Sequence, residues 1–125
     1  MKTDLNPKIR MQYKIWMESP EGEGIMGDGK WLILKTIEQT GSLKAATEAL
    51  GLTYRRTWGD LKKIETQLGI SLLDKSRGGA QGGASSLSNA GKQMVAAFDE
   101  LHENLDGVIK KAFIQFQERL ADIEI

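Results

Sequence analysis

At 125 residues, 40% hydrophobic and 27% charged, the chain has the make-up of one globular domain with room for an appended helix. It contains no cysteine and one histidine, His102, which excludes disulfides, thiolate metal sites and a histidine-based catalytic triad. Its net charge is zero, so the total neither favours nor disfavours a polyanionic partner.

The first residues, MKTDLNPKIR, carry no apolar run that could serve as a secretion signal. No stretch reaches the roughly 18 apolar residues of a membrane span. A soluble, cytoplasmic protein is expected. From Lys8 to Met17 the residues alternate: Ile9, Met11, Tyr13 and Ile15 on one face, Arg10, Gln12 and Lys14 on the other. That period of two predicts a strand. Ser19 to Gly29 is turn-rich and predicts a hairpin tip with a short return strand near Gly24–Met26.

Asp28 is placed to cap a helix over Gly29–Thr40, with Trp31, Leu34 and Ile37 as its apolar stripe and Gly41 as its end. Gly41 to Leu61, GSLKAATEALGLTYRRTWGDL, then reads as helix, tight turn, helix. Leu43, Ala46 and Leu50 recur at helical spacing. Gly51 breaks the first helix where a left-handed residue is wanted. Leu52 is expected as a buried pin and Thr53 as the cap of the second helix. That helix runs to about Leu68, with Trp58, Leu61, Ile64 and Leu68 expected inward. Arg55, Lys62 and Lys63 fall outward, and so does Gly59, which costs about 1 kcal/mol in a helix interior. In helix-turn-helix proteins the leading residues of the second helix meet DNA bases.

Gly69 ends that helix. Ile70–Lys75 and the resumption at Leu87 predict two short strands, separated by the glycine-rich run from Arg77 to Ser85. Such a hairpin is the wing of a winged helix. The run lacks the Lys-Ser/Thr ending of a phosphate-binding P-loop. Ser88 is placed to cap a final helix from Asn89 to about Ala121. Its apolar positions Met94, Phe98, Leu101, Leu105, Val108, Ala112 and Phe116 step by four and three. That seam is longer than one small core requires, so a second copy is its expected partner.

Charge follows the same organisation. Residues 30–77 hold nine Lys/Arg against five Asp/Glu, residues 78–125 four against seven, and residues 1–29 four against five. DNA responds to this local positive field rather than to the total. The expected DNA-facing set is Ser42, Lys44, Thr53, Tyr54, Arg55, Arg56, Thr57, Lys62, Lys75 and Arg77. Arg55, Arg56 and Thr57 would read the major groove, and Lys44, Lys75 and Arg77 would hold phosphates. No metal, cofactor or catalytic site is expected: the carboxylates around His102 lie on one helix, whereas hard-cation sites draw them from several elements.

These residues resemble one family. GSLKAATEALGLTYRRTW, followed by LLDKSRGGAQGGASSLSNAG, is similar to the winged-helix domain of the molybdate-responsive ModE family, itself similar to the N-terminal domain of LysR-type regulators. The match runs from about Gly29 to Phe98, and the early strand also resembles the family's N-terminal segment. The resemblance implies a dimeric transcription regulator that binds a partly palindromic operator. Family members carry oxyanion-binding domains after this region, and the chain ends at Ile125, so molybdate sensing is not expected of it. An unidentified effector stays open. The expected architecture is mainly α with a small β component: a winged helix-turn-helix over residues 1–88 and a dimerisation helix over 89–125. The rival expectation is a winged-helix module that binds a partner protein instead of DNA.

Overall fold

The computed structural model describes residues 8–75 and 85–123. They form two compact units: residues 14–98, and residues 8–13 with 99–123. The larger unit is a winged helix-turn-helix. It begins with the hairpin β1 (Trp16–Glu18) and β2 (Gly24–Gly27), paired antiparallel with Met17 opposite Met26. Three helices follow: α1 (Asp28–Thr40), α2 (Leu43–Leu50) and α3 (Tyr54–Leu68). The hairpin β3 (Leu73–Lys75) and β4 (Ser85–Leu87) comes next, with Leu73 opposite Leu87. The last helix, α4 (Asn89–Ala121), starts in this unit and continues through the smaller one.

The three-helix core is built from part of the stripes expected of it: Leu68, expected inward on α3, is 39% exposed. Leu34 and Ile37 of α1, Leu43 and Ala46 of α2, and Leu61 of α3 are fully buried. Leu72 closes the core from the strand side, and Val95 and Phe98 from α4. Each large side chain buried here contributes roughly 2 kcal/mol. Gly51 ends α2 in the left-handed conformation at φ 68°, where a side chain would strain the backbone. Its amide reaches back to Glu48 O and Thr47 O, and the Leu52 amide donates to Thr47 O at 2.9 Å. The backbone therefore closes the turn. Leu52, expected as a buried pin, is 42% exposed. Thr47 is buried in its place, with its hydroxyl donating to Lys44 O.

Two further expectations are corrected. The strand predicted over Lys8–Met17 is confined to Trp16–Glu18, because a strand needs a paired edge and β2 is only four residues long. Asp28 does not cap α1. The cap position is Gly27, and Asp28 accepts a hydrogen bond from the Ile15 amide at 3.2 Å while its own amide donates to Ile15 O. It ties the first hairpin to α1. By contrast, Ser88 does cap α4: its Oγ accepts from the Gly91 amide at 2.9 Å and donates to Ser71 O.

Candidate nucleic-acid interface

The candidate surface is the outward side of α3 with the start of α2. The inward side of α3 is fixed by Thr57, Leu61 and Ile64, all buried. Stepping by four and three residues, they occupy one stripe. A helix so anchored turns Arg55 to its opposite side and Arg56 to its flank, and both are exposed. Among the described residues neither guanidinium forms an ion pair. The other cations nearby are engaged: Lys30 with Asp60 at 3.2 Å, Lys62 with Glu65 at 3.0 Å, and Lys63 with Glu23 at 3.6 Å. The exposed pairs Lys30–Asp60 and Lys63–Glu23 are worth about 1 kcal/mol or less, so a phosphate can compete for them, whereas Glu65 is only 12% exposed and keeps Lys62.

Gly59 stands between these groups. A Cβ built there meets nothing within 4 Å, so its small size serves no packing inside the unit. It leaves a smooth strip of helix beside Arg55, over which another backbone can come close.

The structure exchanges two neighbours relative to the expected pattern. Thr57, expected to read DNA, is 4% exposed and belongs to the core. Trp58, expected in the core, is 37% exposed. Both residues are compatible with Leu61 on a helical stripe, one four residues away and the other three. The smaller Thr57 takes the tight position against the core. Thr53 holds the cap position of α3 without a side-chain cap bond, its carbonyl accepting from the Thr57 amide. Tyr54 is 42% exposed.

On α2, Lys44 is exposed. Ser42 is the cap of that helix: its Oγ accepts from the Ala45 amide at 3.0 Å, which leaves its hydroxyl proton for an outside acceptor. Lys75 ends β3. Arg77 and the glycine-rich run lie outside the described residues.

One residue that positions this surface had no place in the sequence reading. Glu65, on the inner flank of α3, accepts hydrogen bonds from the amides of Leu72 at 2.6 Å and Leu73 at 3.2 Å. It also pairs with Lys62. Burial pushes its carboxyl up, but the Lys62 ammonium and the two amides outweigh that and hold it below the ordinary value. Glu65 thereby ties α3 to the strand leading into the wing. Only the contact itself reveals this, since nothing local marks which helical carboxylate will meet strand amides.

The expected dimer set divides. Phe98 is 2% exposed and stacks on Trp31, with ring centroids 5.6 Å apart. Met94 packs partly buried against the same core. Phe98 is interior to the larger unit and is withdrawn from the dimer set, while Met94 is half-buried on that unit's core. In the smaller unit Leu101 and Leu105 are half-buried, while Val108, Ala112 and Phe116 are exposed. Ile9, Met11, Ala112, Phe113 and Phe116 line an apolar cavity of about 450 Å³ there. His102 lies 3.4 Å from Asp106. Among the described residues no cluster of carboxylates or histidines is arranged to hold a metal.

The chain is 32% identical over 73 residues to the molybdenum-pterin-binding protein MopB of Rhodobacter capsulatus, covering 58% of this chain and 27% of that protein. It is 26% identical over 98 residues to the molybdenum transport protein ModE of Azotobacter vinelandii, covering 78% and 35%. It is 44% identical over 52 residues to the putative HTH-type transcriptional regulator protein PtxE of Stutzerimonas stutzeri, covering 41% and 26%. The chain thus spans about a quarter to a third of the length of these relatives. Residues 30–92, from α1 through the first turn of α4, match the bacterial regulatory helix-turn-helix proteins of the LysR family. With half of its length matched, the chain belongs to the LysR family of bacterial regulatory helix-turn-helix proteins.

Proposed function

We propose that the chain is a DNA-binding transcriptional regulator that lays α3 in the major groove of its operator. The observation that carries this reading is the pair of exposed arginines on the first turn of a helix anchored by Thr57, Leu61 and Ile64. Arg55 and Arg56 present bidentate donors suited to guanine edges. Ser42 at the cap of α2, Lys44 on α2, Lys62 on α3, Lys75 at the end of β3, and Arg77 are assigned to phosphates, and Tyr54 and Thr53 flank the groove. Thr57 has no part in this surface. The protein acts without catalysis or a resident cofactor, in the cytoplasm. No described helix is long and apolar enough to cross a membrane.

It works as a homodimer through the exposed portion of α4, with Val108, Ala112 and Phe116 at the contact. A two-fold dimer brings two α3 helices to two half-sites of a palindrome.

The test is selection of bound duplexes from a random pool. A two-fold symmetric consensus is the expected result. Arg55→Ala and Arg56→Ala should each weaken binding to it roughly tenfold or more. Affinity should fall linearly in log affinity against log salt. No selected consensus, with duplex binding that neither depends on salt nor falls when Arg55→Ala and Arg56→Ala are combined, would instead favour a protein-interaction module.

A further inference from the structure

We propose that Trp58 is a specificity-determining residue of the DNA surface, its indole reading thymine methyl groups beside Arg55. This inference rests on the DNA-binding reading above and extends it. Trp58 lies outside the fully buried stripe of α3, which Thr57, Leu61 and Ile64 form. A large apolar ring stands 37% exposed on the helix that carries Arg55 and Arg56. Tyr54, one turn earlier, is 42% exposed. Residues four apart lie one above the other on a helix, so the two rings form an apolar strip alongside the basic one.

Trp58 is also held in place. The Lys62 ammonium sits 5.5 Å from the centre of its ring. Glu65 holds that ammonium at 3.0 Å and is itself fixed by the amides of Leu72 and Leu73. A chain of contacts therefore runs from the base of the wing to the face of the indole. Next to Trp58, Gly59 offers no side chain, so α3 can approach the groove closely with the ring on its flank. In the major groove the apolar group that distinguishes one base is the thymine methyl. Arg55, three residues before Trp58, lies on the same side of α3 as this strip, which fits half-sites in which guanine and thymine are neighbours.

The experiment uses the full chain and a duplex selected from a random pool by the wild type. Trp58→Ala and Trp58→Phe are measured on this duplex and on copies in which deoxyuridine replaces thymine, one position at a time. For the wild type, loss of one methyl should weaken binding about fourfold at the contacted position. Trp58→Ala should weaken binding to the thymine duplex by a similar or larger factor and be indifferent to deoxyuridine there. Trp58→Phe should retain part of the discrimination. Salt slope and affinity for unrelated DNA should not change, since no charge is lost. The wild-type deoxyuridine series does not depend on any variant folding. A wild type insensitive to every deoxyuridine, or a Trp58→Ala protein with unchanged preference, overturns the proposal while leaving the arginine reading intact. A wild type that selects no sequence overturns both.

Discussion

The two portions of α4 are one continuous helix with two different environments. Between Asn89 and Phe98 it buries Gly91, Val95 and Phe98 against the winged unit. Between Asp99 and Ala121 no side chain is fully buried, and Val108 and Phe116 stand 65% and 52% exposed. The apolar spacing in the sequence is continuous through both. Periodicity reports which side of a helix wants to leave water; it does not report which body will cover that side. In the first portion the cover is the domain's own core. In the second we assign it to another copy of the chain.

Truncating the same residue type in both portions tests this contrast most severely. Phe98→Ala removes a ring stacked on Trp31 within a closed core and should cost about 3–5 kcal/mol of unfolding free energy. Phe116→Ala should leave the stability of the monomer nearly unchanged and weaken self-association instead. Denaturant unfolding combined with sedimentation at several concentrations separates the two effects. Equal losses of stability, with no change in association, would remove the distinction between the portions.

Glycine gives a second contrast, of opposite sign. A Cβ at Gly91 would lie 2.6 Å from Leu72 O and 2.7 Å from a methyl of Leu87. Gly91 is therefore what lets α4 rest directly on the wing hairpin, and Gly91→Ala should cost about 2 kcal/mol. At Gly107 a Cβ meets nothing within 4 Å. Gly107→Ala should raise stability by up to about 1 kcal/mol through helix propensity alone. Thermal unfolding of both variants checks the pair.

These contrasts also mark how far the sequence could be read. The order of the helices, their glycine ends and the wing strands follow from apolar spacing and turn chemistry, which are local. The outward placement of Arg55 and Arg56 follows from the same spacing. The exchange of Thr57 and Trp58 does not. Both positions satisfy the stripe through Leu61, and the shared stripe alone predicts Trp58 inward. Packing decided otherwise, since the narrow position facing the core suits a threonine. The extent of β1 and the link from Asp28 to Ile15 depend on which edges pair, which no local pattern encodes. Phe98 and Leu101 lie on one seam, and only the tertiary structure separates them.

The smallest predicted effect concerns the strand against which the first turn of α4 rests. Glu65 fixes the amides of Leu72 and Leu73, while the carbonyl of Leu72 accepts from the Ser88 amide at 2.8 Å. Glu65 and Ser88 thus hold opposite sides of one short segment. The carboxyl of Glu65 is depressed in the folded protein relative to its ordinary value of 4.5. A depressed acid stabilises the fold fully above the ordinary value, and loses that contribution as pH falls below it and through the folded value. Stability should therefore drop on acidification below about pH 4.5, and Glu65→Gln should remove that part of the drop. The substitution itself should cost about 1 kcal/mol near neutral pH, as a charged acceptor becomes a neutral one. Unfolding measured across pH 3 to 7, roughly the range over which carboxylates titrate, gives both quantities. If Glu65→Gln follows the wild-type pH curve, the carboxylate does not hold the wing strand. Because the same carboxylate holds Lys62 against Trp58, a pH effect on stability without one on thymine discrimination would show that the link ends at the strand.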